Sequence, residues 1–173
     1  MIKLEPLTGH HNRNGFDCGV DALNAWLRHI ALQHQDKGIS RTFVAVPSSD
    51  QIIERYQNLG YEDVGHASIL GFYALASAFV FLDDLPPELA KRYPRQVPVT
   101  RLGRLAIRSD MQGQGLGRLL LADALNRAQT AAQSVGSAGI FVDAKDDMSS
   151  RFYQSFGFQL CGDQPLKLYL AMW

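Results

Sequence analysis

Apolar residues recur along this chain at two spacings, and the change from one to the other marks out its elements. Between Asp21 and Gln35 the positions Leu23, Trp26, Leu27, Ile30 and Ala31 fall three and four apart. This predicts one amphipathic helix, with Gly38 placed to end it. Arg41 to Val46 reads as a strand closed by Pro47. Ser48 to Gly65 is polar and reads as a loop or insertion with a short helix around Ile52 to Leu59. The run from Ala67 to Leu82 is nearly continuous in apolar residues and contains Phe72, Tyr73, Phe79, Val80 and Phe81, which suits one long or two short buried strands. Pro86 and Pro87 then open a brief helix through Arg92.

The second half continues with an extended segment from Val97 to Ile107, where Pro98 fits a strand start or edge better than a central position. A long helix follows from about Leu116 to Gln133, with Leu121, Leu125, Ala128 and Ala132 on one face and Gly136 as its stop. Gly139 to Asp143 is a strand, Met148 to Phe156 a helix and Leu166 to Met172 a final strand. Strand, crossover helix and strand make a βαβ unit, which requires a parallel pair joined right-handedly. The remaining segments read as antiparallel meander. The expected fold is therefore α/β (α+β), a mixed, mostly antiparallel sheet with a central βαβ unit and flanking helices.

Composition narrows the class. A chain of 173 residues, 46% hydrophobic and 20% charged, has the size and balance of one globular domain spanning residues 1–173. The formal net charge is zero, so any contact with nucleic acid must come from a local basic patch. The N-terminus Met1-Ile2-Lys3-Leu4-Glu5-Pro6 lacks a secretory h-region, and the expected location is the cytoplasm. Cys18 and Cys161 form no metal-spaced set, and the histidines have no metal spacing either, so no metal is expected. The longest apolar run is too short for a membrane span of about 20 residues, and no membrane partner is expected.

The chemistry concentrates between Arg104 and Leu121. A strand-like run enters a turn with glycines at Gly113, Gly115 and Gly117 and leaves as a helix. Glycine accepts a left-handed backbone and lets the main chain approach a ligand closely. The first N–H groups of the helix lack intrahelical acceptors, and the helix dipole adds partial positive charge, so this is an anion site suited to pyrophosphate. No Lys-Ser or Lys-Thr follows the glycines, which excludes a Walker loop. Counting Gly-x-Gly-x-x-Gly from Gly113 or Gly115 puts Arg118 or Leu120 in the last place, which excludes the dinucleotide fingerprint.

The pattern that fits is Gln-x-x-Gly-x-Gly at Gln112, Gly115 and Gly117, which resembles the acyl-coenzyme A loop of the GNAT family of N-acetyltransferases. The sequence Arg151-Phe152-Tyr153-Gln154-Ser155-Phe156-Gly157-Phe158 is similar to the second signature of that family. Phe16 to Leu27, Leu70 to Leu75, and Pro98 to Ile107 extend the resemblance to one branch of it. That branch comprises the toxins of bacterial type II toxin-antitoxin modules that acetylate aminoacyl-tRNA. Two positions depart from the common pattern: Asp147 stands where Asn is frequent, and Ser150 where Ala is frequent.

The resemblance implies acetyl-CoA as co-substrate and no metal. It further implies that the backbone of Leu105, Ala106 and Ile107 holds the pantetheine arm and polarises the acetyl carbonyl, and that Gln112, Gly113, Gln114, Gly115, Leu116, Gly117 and Arg118 bind the pyrophosphate. The two strands of the βαβ unit are expected to splay apart to admit the arm. Tyr153 is the expected general acid for the departing thiolate. On free-group values a phenol with a pKa near 10 is a weaker acid than a thiol near 8.5, so complete transfer is uphill by roughly 2 kcal/mol and the site must tune the tyrosine or use it as a hydrogen-bond donor. Packing beside Phe152, Phe156 and Phe158 is the alternative role for Tyr153. An α-amino group titrates near 8 and needs no strong base, and none is assigned to Asp143, His34 or His66.

For the acceptor, Lys91, Arg92, Arg95, Arg101, Arg104 and Arg108 form a basic stretch between Glu88 and Asp110, with Lys91, Arg92 and Arg95 as the expected tRNA contacts. The branch also implies a homodimer and a ribbon-helix-helix antitoxin. An N-acetyltransferase acting on a small-molecule or protein amine is the alternative, and a coenzyme A binding module without transfer is a third. Asp21 and the Gly15-Phe16-Asp17 entry are expected to cap the first helix, Trp26 to lie in the core, and Gly71 and Gly103 to be close-packing positions.

Overall fold

A computed structural model describes residues 1–173. In chain order the elements are β1 (Ile2–Pro6), α1 (Asp21–His29), α2 (Ala31–Asp36), β2 (Arg41–Pro47), α3 (Asp50–Asn58), β3 (Gly71–Phe81), α4 (Pro87–Ala90), β4 (Gln96–Ile107), α5 (Leu116–Ala132), β5 (Gly139–Asp143), α6 (Asp147–Gln154), β6 (Gln159–Cys161) and β7 (Gln164–Ala171). The strands form one sheet in the order β1-β2-β3-β4-β5-β7-β6. The pairs β1/β2, β5/β7 and β6/β7 are antiparallel, and β4/β5, joined through α5, is parallel. This is the mixed, mostly antiparallel sheet with flanking helices that the apolar pattern predicts. Pro98 sits near the start of β4, ahead of the first residues paired with β5.

Two compact units divide the chain, Met1–Ala74 with Arg104–Ala124, and Leu75–Gly103 with Leu125–Trp173. The first unit is organised around aromatic packing. Trp26 stacks on Phe72 with ring centroids 6.1 Å apart, Phe16 meets Phe72 edge-on at 5.4 Å, and the Arg104 guanidinium lies 4.2 Å over the indole. Leu7, Leu27, Ala31, Val44 and Val46 complete that cluster. The Tyr73 hydroxyl on β3 donates to Asp123 on α5 at 2.5 Å.

The helix expected from Asp21 to Gln35 is two helices. Ile30 has φ of −119°, well off helical geometry, and the bend leaves it 38% exposed while Ala31 is fully buried. One straight helix cannot bury Trp26, Leu27 and Ala31 against the same curved surface without also turning Ile30 inward. Gly38, at φ of +72°, ends the second helix as expected. The cap differs from expectation: the N-cap residue of α1 is Val20, with no side-chain bond, and Asp21 does not cap. Asp17 does the fixing instead, its carboxylate accepting from Gly19 N–H at 2.8 Å and from the Asn24 amide at 2.9 Å, while Asn24 accepts from Cys18 N–H at 3.0 Å.

The second unit packs Val80, Leu85, Val97, Val99, Phe141, Cys161 and Tyr169 together. α5, which runs through both units, buries Leu116, Leu120, Leu121, Ala124 and Ala128, a stripe rotated from the expected Leu121, Leu125, Ala128 and Ala132. It ends at Ala132, within one residue of the expected Gln133, with Ser134 and Val135 N–H both closing on the Ala131 carbonyl. Gly71 is a close-packing position, since a Cβ there would lie 2.9 Å from both Ile107 and Leu120. Gly103 is not, because a Cβ there meets nothing within 4 Å. β1 and β6 escape the sequence pattern, being short strands whose definition rests on their partners β2 and β7. No helix is long and apolar enough to cross a membrane.

The tightest glycine is Gly139, where a Cβ would fall 2.4 Å from the Leu170 carbonyl and 2.4 Å from the Tyr169 ring. Both obstacles belong to the β5/β7 ladder and neither can yield cheaply. Gly139→Ala is therefore expected to cost about 2 kcal/mol or more, read as a lowered thermal midpoint, whereas Gly103→Ala is expected to leave the midpoint within about 2 °C of the parent.

Candidate active site

The end of β4 and the start of α5 build the anion site within the first unit. The parallel ladder between β4 and β5 covers only Thr100 to Leu102 against Ile140 to Val142, and β4 then runs on to Ile107. Leu105, Ala106 and Ile107 thus lie beyond the three residues of β4 that pair with β5. A 3₁₀ turn over Ser109–Met111 leads into Gln112 and the glycines. Gly113 and Gly115 adopt φ of +79° and +85°, a region costing other residues roughly 1–2 kcal/mol each. Gly117 lies inside the first turn of α5, where no left-handed backbone is required.

This turn leaves donors pointing outward. Gln112, Gly113, Gln114, Gly115 and Arg118 are exposed, while Met111 and Leu116 are buried and anchor the loop at either end. The first bond back across the helix entry is Leu119 N–H to Gly115 C=O at 3.3 Å, so the N–H groups of Leu116, Gly117 and Arg118 precede any intrahelical acceptor. A Cβ at Gly113 or Gly115 would meet nothing within 4 Å, so the space over them is open. Outward N–H groups, the helix dipole and an exposed guanidinium suit a pyrophosphate.

The side chain of Gln112 is committed elsewhere. Its amide donates to the carbonyls of Cys18 and Ile107, both at 3.2 Å, tying the loop to the Asp17–Gly19 turn and to the end of β4. Ser109 N–H donates to the Asp17 carbonyl at 2.9 Å. Gln112 can therefore serve a ligand with its backbone, not with its amide.

In the second unit, α6 carries the tyrosine. Asp146 caps the helix by accepting from Ser149 N–H at 2.8 Å. Asp147 is exposed, and Ser150 is buried, donating to the Pro165 carbonyl at 2.7 Å and accepting from the Gln154 amide at 3.2 Å. Ser150 thus uses its hydroxyl to join α6 to the start of β7. Tyr153 is only 6% exposed, with Phe152 and Phe158 at ring centroid distances of 5.4 and 5.5 Å. Phe156 packs against Phe152 at 5.3 Å. Burial holds the phenol of Tyr153 well above its ordinary pKa, so the group is neutral and a donor at every physiological pH.

The basic stretch divides. Arg108 is 7% exposed and forked onto Asp110, with Nε at 3.0 Å and Nη2 at 2.7 Å, and it reaches Asp63 at 3.3 Å. Arg101 pairs with Asp143 and lies over Phe141, and Arg104 covers Trp26. Lys91, Arg92 and Arg95, in the second unit, remain exposed, with Lys91 3.8 Å from Glu88 and Arg92 3.5 Å from the Trp173 carbonyl. A count of charges along the sequence cannot distinguish the two groups. His34 meets Trp26 edge-on at 6.1 Å, and the exposed His66 pairs with Asp50 at 2.7 Å.

Leu105–Ile107 and Gln112–Arg118 come together in the first unit, while Lys91, Arg92, Arg95 and Tyr153 belong to the second. Sequence reasoning missed the supports of the loop, Asp17, Tyr61 and Asp63, which lie far away along the chain and carry no motif.

Comparison with known proteins agrees with this geometry. Residues 91–168 match the family profile described as acetyltransferase (GNAT) domain. A tRNA-acetylating toxin of Mycobacterium tuberculosis is 36% identical over 157 residues, covering 91% of this chain and 84% of that protein. The structure of AtaT complexed with acetyl-methionyl-tRNAfMet superposes with a TM-score of 0.82 at 29% identity, covering 99% of this chain and 95% of that one. A Tyr-to-Phe mutant of AtaT, bound to the C-terminus of the antitoxin AtaR and acetyl-CoA, gives a TM-score of 0.74 at 30% identity, covering 99% and 93%. With a relative 36% identical across 91% of the chain and the GNAT profile matching residues 91–168, this protein belongs to the GNAT acetyltransferases.

Proposed function

We propose that this N-acetyltransferase uses acetyl-CoA to acetylate the amino group of aminoacyl-tRNA, removing the nucleophile for peptide bond formation and acting as the toxin of a toxin-antitoxin pair. The observation that carries this reading is the 36% identity, over nearly the full chain, with a protein named for that activity. The AtaT complexes with acetylated tRNA and with acetyl-CoA support it.

Acetyl-CoA, when bound, supplies an activated thioester. The N–H groups from Gln112 to Arg118 hold its pyrophosphate, and the open backbone edge at Leu105, Ala106 and Ile107 holds the arm and orients the acetyl carbonyl. The acceptor nitrogen bonds to the carbonyl carbon, the carbon–sulfur bond breaks, and the amine proton passes to solvent. Tyr153 directs its phenolic hydrogen at the sulfur as charge builds there. Its raised pKa makes it a strong keeper of that proton, so it contributes by hydrogen-bond donation to the sulfur as charge develops, and the released thiolate takes its proton from solvent. A neutral fraction of the α-amine is present near pH 8 without a dedicated base.

Lys91, Arg92 and Arg95 contact tRNA phosphates in this reading. The protein works in the cytoplasm as a homodimer, restrained by a ribbon-helix-helix antitoxin. The branch that the chain resembles supports these partners, and the antitoxin-bound AtaT supports the pairing.

Incubating the protein with labelled acetyl-CoA and charged tRNA is expected to label the aminoacyl moiety; label confined to free amines or to protein would replace this acceptor by the alternative one. Tyr153→Phe is expected to lower kcat about 100-fold or more while coenzyme A affinity, measured by calorimetry, stays within about twofold. An undiminished rate removes the hydrogen-bond role. Replacing Lys91, Arg92 and Arg95 together by Ser is expected to weaken tRNA binding and flatten its salt dependence, the slope falling by roughly one for each phosphate that is no longer neutralised. Binding of coenzyme A by that variant should match the parent.

A further inference from the structure

We propose that Tyr61 and Asp63, in the segment between α3 and β3, are positioning residues for the phosphate loop, setting donor affinity by holding the loop in its binding conformation without touching the ligand. The inference rests on the reading of that loop as the acetyl-CoA site.

A loop with two left-handed glycines and several exposed residues loses conformational freedom when it closes on a ligand. Holding it in place beforehand lowers that cost. The Tyr61 hydroxyl is placed to do so. It accepts from the Gln114 amide at 2.9 Å and donates to the Asp110 carbonyl at 3.0 Å, gripping the chain on both sides of Gly113. One oxygen thereby spans the turn that must stay left-handed.

Asp63 acts through Arg108. The buried guanidinium forks onto Asp110 and reaches Asp63 at 3.3 Å, while Arg108 N–H donates to the Leu70 carbonyl at 3.0 Å. Burial alone would lower the pKa of Arg108, but its bonds to Asp110 and Asp63 outweigh that and hold it above the ordinary arginine value. The pairing has a second consequence. An unpaired Asp110 at the entry to an anion loop would repel phosphate, and Arg108 cancels that charge. Asp63 accepts from the same Nη2 nitrogen that Asp110 holds and adds a second anchor to the guanidinium.

The support is itself well founded. Tyr61 N–H closes on the Tyr56 carbonyl at 3.0 Å, the two rings meet edge-on at 5.8 Å, and Tyr56 is buried. The Gln57 amide donates to the carbonyl of Val64, a buried residue, at 3.0 Å, and Gly65 N–H donates to the Ser68 hydroxyl at 2.8 Å. A polar stretch that reads as an insertion is thus a folded strut ending on the loop.

The test compares the full chain with Tyr61→Phe, which keeps the ring on Tyr56 and deletes both bonds to the loop. Expected are a roughly fivefold to tenfold weaker calorimetric affinity for coenzyme A and an equal rise in KM for acetyl-CoA. The kcat at saturating donor and the acceptor KM should not change, and the thermal midpoint should stay within about 2 °C. Asp63→Asn should weaken donor binding in the same direction, with Asp63→Glu restoring part of it. Parent-like coenzyme A affinity in Tyr61→Phe, or a weakening matched by a fall in thermal midpoint, overturns the positioning role. Failure of the unaltered protein to bind coenzyme A overturns the donor site itself.

Discussion

The arrangement of the loop before α5 depends on one constraint, that the N–H groups at the start of the helix are left without backbone acceptors while the chain around them stays fixed. An unsatisfied N–H is costly when buried, so the loop is exposed and the donors are satisfied by water or ligand. Two left-handed glycines make the turn that aims them outward. Everything around the loop resists its natural mobility. Met111 and Leu116 bury on either side, the Gln112 amide pulls back onto Cys18 and Ile107, and the Asp17 carbonyl receives Ser109.

The same requirement accounts for a charge arrangement that sequence composition hides. Arg108 lies close to the loop and would read as a phosphate contact, yet it is buried and paired with two carboxylates. Its role is to neutralise an acid near an anion site and to lock the turn before Gln112. What remains at the start of α5 is the dipole of the helix itself, the kind of positive potential that a chain with no net charge can still provide locally. Exposed cations in the second unit, at Lys91, Arg92 and Arg95, are separate in the chain and available for another polyanion.

Tyr153 shows the opposite strategy. A buried phenol surrounded by Phe152 and Phe158 keeps its proton far more strongly than a solvated one. Ser at position 150 leaves no buried hydroxyl unsatisfied, because it donates to the Pro165 carbonyl and ties α6 to the start of β7. α6 is therefore anchored by a cap at Asp146, an internal polar tie and an aromatic cluster.

Much of this was legible along the chain, because periodicity and glycine placement are local. The strand and helix flanking the loop, Gly113 and Gly115 as left-handed turns, Trp26 in the core and Gly71 as a close contact follow from residue type and spacing. The bend at Ile30 does not, since it arises from fitting Trp26, Leu27 and Ala31 onto one surface. Nor do β1 and β6, which exist through the strands they pair with. The N-cap at Val20 in place of Asp21, the open space at Gly103, the burial of Arg108 and the support from Tyr61 and Asp63 are likewise results of folding. By itself the sequence determined the glycine turn and the strand and helix that flank it, because backbone conformation and amphipathic period are written in consecutive residues. Only the tertiary structure decided which side chains the loop leans on and which charges stay exposed, because those depend on residues tens of positions apart sharing the same few ångströms.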